Sequence, residues 1–109
     1  MSRSDYEITA EALQKKLESR EQPVVLDVRR PDELAICGLA GAEHIPLDEL
    51  QDRLEELDRQ KEIVVICHHG VRSLSAAAFL RTQGFERVWS LAGGIDRWAS
   101  VIDPSVPRY

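Results

Sequence analysis

The chain has only two cysteines, Cys37 and Cys67, among 109 residues. That is too few for a disulfide-stapled scaffold, so each is read first as a free thiol. A solitary buried cysteine ordinarily behaves as a small apolar residue, and any chemistry has to come from its surroundings. Positive charge is also scarce. Fourteen Lys and Arg against nineteen Asp and Glu give a net charge of -5. The basic footprint of a nucleic-acid-binding domain is absent, and no nucleic-acid partner is expected. No apolar run approaches the ~20 residues that a membrane helix needs, and 30% charged residues argue against a membrane protein. Residues 1–7 are polar and hold no apolar stretch of the secretory type, so a cytoplasmic location is expected. Repeats, low-complexity tracts and long linkers are missing as well.

What remains fits one domain. The length lies in the single-domain range, and 43% hydrophobic residues suffice for a core. Apolar runs alternate with helical periods. Thr9 is placed to cap a helix over 10–19, with Leu13 and Leu17 one turn apart. Residues 23–28 form a continuous apolar run rich in β-branched side chains, the pattern of a strand covered on both faces. Pro31 is suited to open a short helix through Glu33 to Ile36. A brief strand is expected at 42–45. An amphipathic helix is expected over 48–57, where Leu50, Leu54 and Leu57 recur at helical spacing. Residues 62–67 give the strongest strand signal. A helix over 73–83 ended by Gly84, a last strand around 88–90 and a short helix after Gly93 and Gly94 complete the series. Two prolines keep the tail at 103–109 from being helical throughout.

Alternating strands and helices predict an α/β domain with a mostly parallel sheet and helices on both faces. Ligands of such sheets bind beyond the carboxyl ends of the strands. The strand-end residues Asp27, Ile45 or Pro46, Cys67 and Ser90 therefore draw attention. The segment Cys67-His68-His69-Gly70-Val71-Arg72-Ser73 reads as strand end, short loop and helix start. Backbone N–H groups of such a loop, and of the first turn of the helix after it, point towards the sulfur. A thiolate is stabilised there, Arg72 adds a permanent positive charge, and Gly70 lets the loop curl. Cys67, His68 and His69 lack a spaced second pair of ligands, so no zinc site is expected.

With these residues in place, the sequence resembles the rhodanese-homology domains, the thiosulfate:acceptor sulfurtransferase family, from Ile8 to Tyr109. Four motifs carry the resemblance in order: Leu26-Asp27-Val28-Arg29 followed by Glu33; Gly41-Ala42-x-x-Ile45-Pro46; Cys67-x-x-Gly70-x-Arg72-Ser73; and Leu91-x-Gly93-Gly94-Ile95-x-x-Trp98. It implies a single rhodanese-like domain, with a core of about residues 8–100, a tail at 101–109 and a five-stranded sheet. It also implies that Cys67 is a catalytic cysteine that takes the outer sulfur of a donor as a persulfide and passes it to a nucleophile. Thiosulfate and cyanide are the usual laboratory donor and acceptor, and no metal or organic cofactor is implied. His68, His69, Gly70, Val71, Arg72 and Ser73 become the persulfide loop, with Asp27 and Arg29 as supporting residues. Related phosphatases and arsenate reductases use a Cys-x5-Arg loop. Cys67 and Arg72 stand in Cys-x4-Arg spacing, a shorter loop that suits one sulfur atom better than a tetrahedral phosphate. A non-catalytic interaction module is the alternative from another class. Retention of Cys67, Gly70 and Arg72 speaks against it.

The chain departs from the common single-domain pattern at 37–42, where Cys37-Gly38-Leu39-Ala40-Gly41-Ala42 stands in place of Gly-His-Ile-Pro-Gly-Ala. Residues 33–37 and the tail 102–109 are instead similar to the rhodanese domain fused to E1-like adenylyltransferases. That likeness implies a protein sulfur donor or acceptor as a partner. Otherwise the tail is a surface strap, Cys37 a buried structural thiol, and Asp27, Arg29 and Glu33 charges that fix by ion pairing the loop after the strand at 23–28.

Overall fold

A computed structural model describes residues 5–109; residues 1–4 of the polar start noted above lie outside the described residues. Five strands form one sheet: β1 (Glu7–Ile8), β2 (Val24–Asp27), β3 (Glu43–His44), β4 (Ile63–Ile66) and β5 (Val88–Leu91). Their order is β1-β5-β4-β2-β3, and every pairing is parallel. Four α-helices accompany them: α1 (Ala10–Leu17), α2 (Pro31–Ile36), α3 (Val71–Thr82) and α4 (Gly94–Val101). The expected α/β class, parallel sheet and five strands are all present.

The continuous apolar runs have the reason the sequence suggested. Side chains of a strand point alternately to opposite faces, and here both faces are covered. Leu26, Val28, Ile63, Val65 and Cys67 join Ala76, Ala77 and Leu80 of α3, together with Leu50 and Leu57, in one buried cluster. Val25, Val64 and Ile66 join Ala10 and Leu13 of α1 and Trp98 of α4 in the other. Alternation therefore places Cys67 on the α3 face of the central strand β4.

Three elements differ from expectation. The β1 edge strand was not marked by the sequence. It is two residues long, and main-chain bonds such as Ala92 N to Ile8 O (2.9 Å) hold it to the end of β5. The helix expected over 48–57 is two 3₁₀ stretches, Leu47–Glu49 and Gln51–Glu56, with a break at Arg53 (φ -117°). Leu47 and Leu50, then Leu54 and Leu57, are each three residues apart. That is the 3₁₀ repeat, and the break at Arg53 resets the phase between the pairs. Finally, α3 starts at Val71, two residues before the position the sequence indicated.

The chain runs outwards from β2 to β3 and, in the other direction, from β4 to β5. The reversal falls between β2 and β4, which are hydrogen-bonded neighbours. Crevices of open parallel sheets form at the carboxyl ends of strands flanking such a reversal. Arg29 follows β2 there and Cys67 follows β4. Among the described residues, no helix is long and apolar enough to cross a membrane.

Candidate functional site around Cys67

Cys67 is 1% exposed, and its sulfur occupies the place of a helix cap. Gly70, the N-cap residue of α3, has no side chain to offer. The Gly70 N–H (3.1 Å) and the Ser73 N–H (3.3 Å) instead donate to Cys67 Sγ. These are donors that the helix itself leaves unsatisfied, at its positive end. The early start of α3 has the same origin, since the sulfur caps the first turn in place of a capping side chain. The Cys67 thiol donates to Ser73 Oγ (3.3 Å), and Ser73 Oγ shares a hydrogen bond with Ser90 Oγ (2.7 Å). Both serines are fully buried. On ionisation the Ser73 hydroxyl can turn to donate to the sulfur while Ser90 supplies Ser73, so the thiolate gains a third donor.

Glycine is required where the loop meets its neighbours. Gly70 has φ +95°, in the left-handed region, and a Cβ there would press on Gly93 N and Leu91 O. The loop lies directly on the start of α4. The Ile95 N–H donates to Cys67 O (2.8 Å) and the Asp96 N–H to His68 O (3.1 Å). These bonds satisfy free donors of α4 with free carbonyls of the loop. A Cβ at Gly94 would collide with both of those carbonyls.

Arg72 brings its positive charge to the loop already paired. Its guanidinium grips Glu33 of α2 with two bonds, Nη1 to Oε1 (2.5 Å) and Nη2 to Oε2 (2.8 Å). Glu33 is 3% exposed. Hydrogen bonding from Arg72 holds its carboxyl well below the usual carboxylate range, against the cost of burial and with help from Tyr109. The sign of the linkage is definite: a depressed carboxylate contributes stability above its ordinary pKa of about 4.3 and loses it as pH falls through its folded value. Acidification from pH 5 should therefore lower the melting midpoint of the wild-type chain more steeply than that of Glu33→Gln. At pH 7 the variant should cost about 1–3 kcal/mol, with the Arg72 partner left partly solvated. Parallel acid slopes in thermal melts would contradict this.

Asp27 and Arg29 form the ion pair expected of them. Both are fully buried. Arg29 Nη2 meets Asp27 Oδ2 at 2.7 Å, and Arg29 Nε meets Oδ1 at 3.0 Å. Other guanidinium hydrogens go to Cys37 O (2.7 Å), the carbonyl that ends α2, and to Glu33 O (3.5 Å). Burial works against the Arg29 charge, but bonds with Asp27 and Tyr109 outweigh it and raise its pKa. Cys37 is a free, buried thiol 3.8 Å from Arg29 Nη1. Glu33 takes no part in the Asp27–Arg29 pair and turns to Arg72 instead, a contact between residues 39 positions apart that local spacing cannot reveal.

The two loop histidines separate. The ring of His69 is mostly exposed and lies 3.9 Å from Asp96. The ring of His68 lies between His69 (3.8 Å) and Tyr109 (3.7 Å, 5° between planes), with Nε2 buried and unpartnered among the described residues. Val71 is 65% exposed on the rim. Val28, Arg30, Pro46, Leu47, Asp48 and Arg72 line an open cleft of about 370 Å³ beside the first turn of α3. Among the described residues, no group of three or more His, Cys, Asp or Glu is placed to hold a metal ion.

Comparison with known proteins agrees with this geometry. The model of the rhodanese-like domain matches residues 9–101. The thiosulfate sulfurtransferase GlpE of Pseudomonas fluorescens is 42% identical over 82 residues, covering 74% of this chain and 75% of the relative. YrkF of Bacillus subtilis, provisionally named a sulfur carrier protein, is 40% identical over 92 residues, 84% of this chain. The chain spans 50% of the length of that relative. A crystal structure of a rhodanese-related protein from Thermoplasma volcanium superposes with a TM-score of 0.79 at 35% identity, covering 94% of this chain and 95% of that one.

Proposed function

The chain belongs to the rhodanese-like domain family, and from that premise we propose that it is a sulfurtransferase that carries sulfur as a persulfide on Cys67. The observation that carries this reading is the pair of backbone donors, from Gly70 and Ser73, aimed at Cys67 Sγ. They favour a negative sulfur and are in place before any substrate arrives, which is how preorganised donors lower a barrier.

The reaction divides into two displacements. The Cys67 thiolate attacks the outer sulfur of thiosulfate. The new S–S bond forms as the old one breaks, and sulfite leaves with the electron pair. Cys67 then carries a terminal, anionic sulfur. A nucleophile such as cyanide or a thiolate attacks that sulfur, the Cys67 S–S bond breaks, and the thiolate returns with its electron pair. Each step breaks one S–S bond and forms one new bond to the transferred sulfur, S–S with a thiolate acceptor and C–S with cyanide, and the displaced group leaves with the electron pair, so the chemistry calls for no redox cofactor. A persulfide on a thiol or on a partner protein serves as donor by the same displacement. Because Glu33 neutralises Arg72, the anionic sulfur depends on the loop amides and the Ser73 hydroxyl more than on a free cation.

Intact mass after incubation with thiosulfate, then with cyanide, tests the reading. The expected result is a gain of one sulfur atom, lost on adding cyanide. A chain that gains no sulfur from thiosulfate or from an organic persulfide would overturn it.

A further inference from the structure

Sulfur transfer as described leaves the C-terminal tail without a role, yet the tail reaches the loop. After α4 the chain turns back, with the Asp103 N–H bonded to Trp98 O (3.0 Å). Arg108 forks onto Asp96 at 3.0 and 3.2 Å. Tyr109 then lies beside the loop that holds Cys67. Its ring stacks on His68, 3.7 Å away and 5° from parallel. Its hydroxyl donates to Glu33 Oε2 (2.8 Å) and accepts from Arg29 Nη1 (3.0 Å).

One side chain thus touches the sulfur cradle on two sides. His68 directly follows the nucleophile. Glu33 holds Arg72, which sits next to Ser73, one of the two backbone donors to sulfur. We propose that Tyr109 is a positioning residue of the persulfide site, acting through His68 and the Glu33–Arg72 pair to keep the loop closed around Cys67. This rests on the sulfur-transfer reading above.

The state of His68 supports it. A buried ring nitrogen normally finds a hydrogen-bond partner, but His68 Nε2 has none among the described residues. Stacking, rather than hydrogen bonding, therefore sets the position of that ring, and Tyr109 supplies the nearly parallel face. The phenol is also kept in its donor form. Burial raises its pKa, Arg29 opposes this and Glu33 adds to it, with a net upward shift. Tyrosine is rigid for its size, so fixing it costs little conformational entropy. Loops are otherwise the mobile part of such a fold. Small misplacements of positioning groups lower rates without disturbing the fold.

The test compares Tyr109→Phe, Tyr109→Trp and Tyr109→Ala with the wild-type chain at 25 °C, below their melting midpoints. Steady-state transfer from thiosulfate to cyanide is measured, and persulfide loading is followed by intact mass. Tyr109→Ala, which loses stack and hydrogen bonds, should lower kcat about tenfold with little change in donor KM. Tyr109→Phe, which keeps the stack, should lose about threefold, and Tyr109→Trp should retain more activity than alanine. Wild-type kcat in Tyr109→Ala, with a lower melting midpoint as the sole change, would make the tail a strap and overturn the inference. A faster Tyr109→Ala would make it a lid and overturn it equally. Tyr109 is 37% exposed, and Tyr109→Phe, which lacks one oxygen, keeps the test valid if alanine unfolds the chain. A wild-type chain that never gains sulfur would overturn both readings. A wild-type chain that loads normally beside unaltered variants would overturn the tail's role alone.

Discussion

Cys67→Ser is expected to reduce sulfur transfer by about a thousandfold or more while leaving the melting transition almost unchanged. The two effects separate because the sulfur has two roles. As a cap it accepts the N–H groups of Gly70 and Ser73, and a serine oxygen accepts such groups at least as well. As a nucleophile it must be an anion that attacks sulfur, and an alcohol does not ionise at neutral pH. The side chain is 1% exposed, so the smaller oxygen leaves only a slight void. Assay of transfer, mass after thiosulfate and a thermal melt together check the prediction. Cys37 is the internal control, since it is a second buried free thiol, set against Arg29. Sulfur gain that survives in Cys67→Ser and disappears in Cys37→Ser would reassign the nucleophile.

The largest loss of stability is expected from Asp27→Ala. Arg29 would remain fully buried with its charge intact and its counter-ion gone. Removing one member of a buried pair costs about 3–5 kcal/mol, far more than the pair itself contributes relative to apolar residues. Against a typical total of about 5–15 kcal/mol this is a large fraction, and the melting midpoint should fall by roughly 15–25 °C. Arg29 also holds Cys37 O and the Tyr109 hydroxyl, so the loop after α2 and the tail should loosen together. The defect is in folding, not in the reacting atoms. At low temperature the folded fraction should still end with one sulfur on Cys67, but load it more slowly than wild type, because the tail has loosened. A midpoint within a few degrees of wild type would show that water or a rearranged carboxylate reaches Arg29.

The site was legible in the sequence where its logic is local. Cys67, Gly70 and Ser73 lie within seven residues, and a strand that ends in cysteine before a glycine and a helix already implies amides aimed at sulfur. The partner of Arg72 was not legible. Its spacing from Cys67 suggested a charge beside the thiolate, and the carboxylate that pairs with that charge, Glu33, arrives from another βα unit. Tyr109 was harder still, because it meets Glu33 and Arg29 across 76 and 80 positions.

The sequence by itself determined the α/β class, the buried strands β2 and β4, the helices α1, α2 and α3 and the place of Cys67 at a strand end. Apolar periodicity and glycine position encode such features within one element and its turn. Tertiary structure alone decided the two-residue strand β1, the 3₁₀ stretches at 47–56, the seating of the loop on α4 through Gly94, and the convergence of Glu33, Arg72, His68 and Tyr109. These depend on which segments the sheet order brings side by side. No local pattern carries that information, because a carboxylate or a tyrosine looks the same in sequence whichever distant partner it meets.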